Sequence, residues 1–324
     1  MNEKQNEAVW IILLALLFNE RKITADNILR DLENELSNKN RYFPNDFQIK
    51  NVIELYKDTA IYKLNPNDKL FRSRSITDLE KNLPKKTKNI LEKFRLFSIK
   101  LSSDNRYNDF SEPICNIENL LRNPDLINMF DKKLLKKIEK DDFWGYSKEE
   151  SDAPPIDKAT AGRANPSGIS YLYAADNLHT AIVEARPIIR QIMSVAEIKI
   201  LNPLKLFDFC AVKNIYNDSI ENEIELLNSV ARRFSTPNYI NEQGYLLTQY
   251  IAEMIKIKLN FDGIRFQSSL DSKGNNIVLF NEQKNFTTPI KNYEIKNTSL
   301  HIIDDISVKE YKVLPLKKEI QNAL

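Results

Sequence analysis

Apolar residues recur at helical spacing through the first 60 or so positions and at two-residue spacing in much of the second half, so the chain divides into a helical front and a mixed back. Positions near 7–19, 24–38 and 46–58 predict three helices. Thr24 and Asp26 are candidate caps for the second, where Ile28, Leu32 and Leu36 repeat every four residues. Asn45 or Asp46 can cap the third, which carries Val52, Leu55 and Tyr56 on one face. Ile61–Leu64 and Leu70–Arg72 flank the turn-forming run Asn65-Pro66-Asn67-Asp68 and predict a hairpin. Helices followed by a hairpin outline a winged helix; the modest charge of the third helix favours a helical accessory domain instead. The apolar run Ala8–Phe18 is shorter than the roughly 20 residues a membrane helix needs, and no small-residue cleavage site follows it. It predicts a buried helix, and no membrane partner is expected.

Residues 82–140 predict charged helices bearing the basic runs Lys85-Lys86-Thr87-Lys88 and Lys132-Lys133-Leu134-Leu135-Lys136-Lys137. Such runs are usually solvated helix faces, so nucleic acid is not the expected partner. From Phe143 onward strands are expected at Ile169–Ala175, Ile192–Ile200, Leu204–Phe209, Gly263–Gln267 and Asn276–Phe280. Helices are expected at Asn177–Arg186, stopped by Pro187, and near 217–234 and 241–259. Apolar stretches near 299–303 and 311–315 suggest edge strands or a packed tail. The pattern is that of an α+β fold with helices segregated around a modest sheet. The expected organisation is a helical domain over 1–80, a charged helical connector over 81–140, the chemical domain over 141–290 and C-terminal strands over 291–324.

Composition narrows the chemistry. Hydrophobic content of 42% and charged content of 28% describe a core-forming chain, and a net charge of +2 gives no global reason to bind a polyanion. The cysteines, Cys115 and Cys210, and the histidines, His179 and His301, stand apart, which excludes a zinc cluster or a histidine-based triad. Scarce cysteine suits a reducing, cytoplasmic setting. All six glycines lie from Gly145 onward, so tight turns belong to the back half.

Chemistry concentrates in two stretches: Ala161 to Pro187, and Asp262 to Ser269. Gly162, Pro166 and Gly168 bend the loop that carries Arg163. Alternation along the next strand puts Tyr171 and Tyr173 on one face, and the following helix presents Thr180 and Glu184 one turn apart. A guanidinium can fork onto pyrophosphate oxygens. A tyrosine face can stack on a cationic nicotinamide ring, and a carboxylate can oppose an oxocarbenium-like transition state. Nicotinamide leaves neutral, so no histidine acid is required. Taken singly, each residue has an ordinary structural reading: a rim carboxylate, a half-buried sheet tyrosine, a loop-bracing arginine, an uninformative serine.

Taken together, Gly162-Arg163-Ala164-Asn165-Pro166-x-Gly168, Leu172-Tyr173-x-Ala175 and Thr180-Ala181-x-x-Glu184-x-Arg186-Pro187 resemble the signature of the RES domain family. Asp262-Gly263-Ile264-x-Phe266-x-Ser268 resembles the segment bearing that family's serine. The resemblance spans roughly residues 141–285. It implies an ADP-ribosyltransferase-like fold with a mainly helical N-terminal region. It also implies an enzyme that degrades NAD+, with inorganic phosphate as co-substrate and no cofactor or metal. On that basis Arg163 binds the phosphates, Tyr173 packs on nicotinamide with Tyr171 as a pocket wall, Glu184 acts at the ribose, and Ser268, rather than Ser269, orients substrate. Known members are toxins of bacterial toxin–antitoxin pairs, so the implied partner is a protein antitoxin of the Xre type, and self-association is open. Gly145-Tyr146 stands where many members carry an arginine, which leaves Tyr146 or Lys148 as a substitute phosphate contact. Arg186, beside the helix stop, is read as structural. The acceptor (phosphate, water or a macromolecule) stays open, as do a nucleic-acid-binding protein that merely holds a nucleotide and a degenerate scaffold.

Overall fold

The first helix is longer than its sequence pattern predicts. In a computed structural model that describes residues 3–76, 92, 146–189, 191–211, 221–236, 242–280, 291–306 and 311–315, α1 runs unbroken over Glu3–Asn38. The break expected between 19 and 24 is absent because no glycine or proline interrupts the ladder. Thr24, expected as a cap, donates its hydroxyl hydrogen to the Glu20 carbonyl one turn back, 2.9 Å away. Ala25, Leu29, Leu32 and Leu36 line its buried face. α2 (Phe47–Tyr56) begins at Asp46, whose carboxylate does not cap it; it accepts instead from the Tyr250 hydroxyl at 2.7 Å. Among the described residues no helix is long and apolar enough to cross a membrane.

The hairpin does form two strands, β1 (Ile61–Leu64) and β2 (Lys69–Ser75), but they do not pair with each other. β1 pairs antiparallel with β5 (Leu204–Asp208), matching Ile61 to Phe207 and Leu64 to Leu204. β2 pairs antiparallel with β4 (Ile192–Ile200), matching Leu70 to Ile198 and Ser75 to Met193. The winged-helix outline is thereby corrected. The quartet turns the chain as expected, with Asn67 at φ 78° and the Asn65 N–H donating to Asp68. Long-range pairing then sends the two strands to different partners.

The described structure is mixed α/β with a helix-rich N-terminus, and its contacts divide it into two units. The first comprises Met1–Asp68, Ala153–Tyr173 and Ile200–Asn292. Its strands run in the order β1, β5, β6 (Gly263–Gln267), β7 (Asn275–Phe280) and the start of β3 (Tyr171–Ala175). β5 and β6 are parallel, whereas β6 and β7 form an antiparallel hairpin. Phe207, Ile264, Phe266, Val278 and Phe280 pack against Leu29, Ile53, Leu227, Phe234, Ile251 and Ile255, which come from α1, α2, α5 (Glu221–Ser235) and α6 (Leu246–Leu259). Each apolar side chain so buried contributes about 1.5–3 kcal/mol. The strands, and the helices α5 and α6, fall within a few residues of the pattern-based expectation. The basic runs at 85–88 and 132–137 lie outside the described residues.

The second unit comprises Lys69–Asp152, Ala174–Lys199 and Tyr293–Leu324. Here β2 is flanked by the end of β3, through Phe71 and Ala175, and by β4. β8 (Tyr293–Ile306) and β9 (Tyr311–Pro315) pair antiparallel, so the C-terminal stretches are strands. Ile182, Met193, Val195 and Ile303 form a core under α4 (Leu178–Glu184). A four-residue helix, α3 (Lys148–Ser151), carries a Ser147–Glu150 capping box.

His301, on β8, is 5% exposed. Its Nε2 lies 2.9 Å from the Ser299 hydroxyl and its Nδ1 has no hydrogen-bond partner. Burial pushes the imidazole down to about 4. An unfolded chain, whose imidazole titrates near 6.5, therefore takes up a proton that the native state refuses. Stability is expected to fall as pH drops from 6.5 towards 4 and to level off below, by on the order of 3 kcal/mol in all. Urea unfolding at pH 7 and pH 5 measures the slope, and His301→Gln should remove this part of it.

Candidate active site

The Arg163 loop is built by one buried asparagine. Asn165 is 3% exposed, and its side-chain amide donates to the carbonyls of Thr160, Pro166 and Ile169 at 3.0, 3.1 and 2.7 Å. Its Oδ1 accepts from the Tyr173 hydroxyl at 2.6 Å. That same hydroxyl accepts from the Ala164 N–H at 3.0 Å. The Gly162 N–H donates to the Asn165 carbonyl at 2.8 Å, closing the turn around Arg163. From α6, the buried Gln249 amide donates to the carbonyls of Gly162 and Asn165, both at 2.9 Å. A side-chain carbon at Gly162 would sit 2.5 Å from the Tyr173 hydroxyl, so only glycine lets the phenol reach the loop. Gly168 holds φ 83° at the loop's exit, a region other residues rarely adopt.

Arg163 projects half-buried from this frame. Its Nη1 donates to the Phe234 carbonyl at the end of α5, 3.1 Å away. Its Cζ lies 5.8 Å from the centre of the Phe266 ring. Phe209 stacks on Phe234 at 4.8 Å, and Phe234 meets Phe266 at 5.7 Å, so packed rings support the arginine from beneath. Arginine thus bears a fixed fork with donors to spare, the arrangement suited to an anion.

Tyr173 is neutral here. Burial pushes its phenol up to about 12, against the lowering effects of the Ala164 N–H and the Arg163 charge. It acts as a hydrogen-bonding strut, not as a base. Tyr171, expected to line a pocket, is 2% exposed and packs its ring 4.9 Å from Phe280 beneath Lys256. It is a core residue, because β3 buries that position between sheet and α6. Ser268 follows Phe266 by two residues, is 5% exposed, and its hydroxyl accepts from the N–H groups of Leu270 and Asp271 at 3.1 and 3.0 Å. It shapes the β6–β7 turn.

The remaining expected residues belong to the second unit. Asn177 caps α4 by accepting from the Thr180 N–H at 2.8 Å, and Thr180 is fully buried. Glu184 is the last residue of α4 and is half-buried. A carboxylate at a helix C-terminus faces the negative end of the dipole, which costs about 0.3–1 kcal/mol, so its placement serves something other than helix stability. Arg186 adopts φ 51° and donates its N–H to the Val183 carbonyl, ending the helix. The Tyr146 hydroxyl donates to the Ser75 carbonyl at 3.1 Å, and the guanidinium of Arg74 covers its ring at 4.5 Å. Lys148 opens α3 and is exposed. Among the described residues no group of histidine, cysteine and carboxylate side chains is arranged to hold a metal.

The structure therefore brings Arg163, Tyr173 and Phe266 together within the first unit, with Ser268 two residues beyond Phe266 in the β6–β7 turn. Residue-by-residue reading missed Asn165 and Gln249. Asn165 stood inside the motif, but its partners, three loop carbonyls and the Tyr173 hydroxyl of β3, are collected only by the folded turn. Gln249 lies more than 80 positions along the chain, with no local signal. No curated protein matches the chain. A family model described as the RES domain matches residues 135–298, about half of the chain and all of the residues just placed. That match spans the arginine loop, the tyrosine strand, the glutamate helix and the serine that follows β6, and the chain belongs to the RES domain family.

Proposed function

We propose that this protein cleaves NAD+ at the nicotinamide–ribose bond and passes the ADP-ribosyl group to inorganic phosphate. The observation that carries the reading is the braced Arg163 loop, held by Tyr173 of β3 and Gln249 of α6, with its guanidinium set against the Phe234 carbonyl and the Phe266 ring, in a chain of the RES family. A group fixed before the ligand arrives loses little freedom on binding a pyrophosphate. The family membership also favours an ADP-ribosyltransferase-like architecture.

In this reading Arg163 grips the phosphates and the face of Tyr173 meets the nicotinamide ring. The bond from the ribose anomeric carbon to the ring nitrogen breaks, and its electron pair neutralises the pyridinium. A phosphate oxygen then bonds that carbon, giving nicotinamide and ADP-ribose-1″-phosphate. Glu184 supports the positive charge that develops on the ribose. Ser268 holds the turn that walls the pocket and orients the substrate. Such an enzyme would drain a cytoplasmic NAD+ pool, which suits a toxin restrained by a protein antitoxin of the Xre type.

Product analysis by mass after incubation with NAD+, with and without phosphate, tests this. Phosphate-dependent ADP-ribose-1″-phosphate is expected. Free ADP-ribose alone would make it a hydrolase, and a modified macromolecule would make it a transferase. Arg163→Ala is expected to raise KM for NAD+ at least about tenfold while changing kcat less, since a charged hydrogen bond contributes about 1.5–3 kcal/mol. An unchanged KM would remove Arg163 from the phosphate site.

A further inference from the structure

A cavity of about 240 Å³ in the first unit is lined by Glu33, Arg233, Thr236, Tyr245, Leu247 and Thr248. Its lining residues are chain neighbours of those that hold the Arg163 loop. Arg233 and Thr236 bracket Phe234, whose carbonyl holds Arg163. Tyr245 is near enough to Tyr173 to act on its phenol electrostatically, and Gln249, one turn along α6, grips Gly162 and Asn165. Glu33 comes from α1, outside the residues matched by the RES model. Its carboxylate lies 3.5 Å from Arg233 Nη1.

Size and charge choose the occupant. Pockets for whole drug-sized ligands run from about 300 to 1,000 Å³, so this one takes a fragment of a dinucleotide. The Arg233 guanidinium disfavours the cationic nicotinamide end. The Glu33 carboxylate, already balancing that guanidinium, disfavours a free phosphate. A neutral nucleoside with ribose hydroxyls suits both: the carboxylate accepts from a hydroxyl, and the Tyr245 ring offers a face to a base.

Building on the NAD+ reading above, we infer that this cavity receives the adenosine end and that the Glu33–Arg233 pair selects NAD+ over NADP+. An acidic side chain at the adenosine ribose bonds its 2′-hydroxyl and repels a 2′-phosphate, whereas an arginine there accommodates one. Here the carboxylate occupies the arginine. The N-terminal helix α1 is thereby a specificity element for the RES portion of the chain and not merely a brace for it.

The test titrates the full chain and its Glu33→Gln variant with ADP-ribose and with ADP-ribose 2′-phosphate by calorimetry, and follows nicotinamide release from NAD+ and NADP+. Glu33 is partly exposed and glutamine keeps its shape, so folding is preserved. The native chain should prefer ADP-ribose at least about tenfold, the size of one charged hydrogen bond. Glu33→Gln should shrink that preference by a similar factor through tighter binding of the 2′-phosphate. Arg233→Gln should not shrink it. Equal affinities in the native chain, or a ratio unmoved by Glu33→Gln, would overturn the selectivity while leaving any NAD+ cleavage standing. Selective binding without nicotinamide release would keep the selectivity and remove the enzymatic reading. Binding of neither nucleotide would remove both.

Discussion

Glu184→Gln is expected to lower nicotinamide release from NAD+ by roughly 10²–10³-fold while KM moves little. The side chains have the same shape, and the amide still hydrogen-bonds, so ground-state binding is largely kept. In the proposed mechanism, what disappears is a carboxylate that opposes the positive charge appearing only as the glycosidic bond stretches. This carboxylate stands at the negative end of the α4 dipole, which by itself disfavours it by about 0.3–1 kcal/mol. The amide variant is therefore read for stability as well as for turnover. Single-turnover release with saturating NAD+, read beside a thermal melt, separates the two effects. Release at the parental rate would show that the charge plays no part in the chemistry.

Asn165→Ala should show the reverse division. Truncation leaves the carbonyls of Thr160, Pro166 and Ile169 and the Tyr173 hydroxyl without their shared partner in a site that is 3% exposed. Each stranded buried group costs about 1–3 kcal/mol, tempered by relaxation and by water, so a loss of roughly 3 kcal/mol is expected. The Arg163 loop would then pay its ordering cost when substrate binds, raising KM about tenfold or more with kcat less affected. Asn165→Asp separates the accepting role of this side chain from its donating one. An aspartate can still accept from Tyr173 but cannot donate to three carbonyls, and it should be no better than alanine. A variant that is destabilised in urea yet keeps its KM would confine Asn165 to folding.

Much of the fold was legible because local rules agree with the tertiary result. Strands at Ile192–Ile200 and Gly263–Gln267 match residue for residue, since the first carries apolar residues on both faces and the second sets Ile264 and Phe266 on one face, as a sheet selects. Asn177 and Pro187 bracket α4 by capping and by breaking the ladder. Elsewhere local rules were outvoted. The turn Asn65–Asp68 predicted a hairpin, but a turn only reverses the chain, and which strand lies alongside is settled by longer-range pairing. Tyr171 and Tyr173 share a face by alternation, yet one is sealed in the core and the other reaches the loop, because α6 and Phe280 cover only the first.

By itself, the sequence determined which residue types stand in which order: the arginine loop between glycines, the tyrosine strand, the glutamate helix and the serine after Phe266. Those follow from short-range stereochemistry and periodicity, and they sufficed to point to the RES family. Only the tertiary structure decided that Asn165 and Gln249 hold the loop, and that Glu33 of the first helix meets Arg233 two hundred residues later. Those contacts join segments remote along the chain. A hydrogen bond depends on ångström-scale placement, which no periodicity encodes until the core has packed.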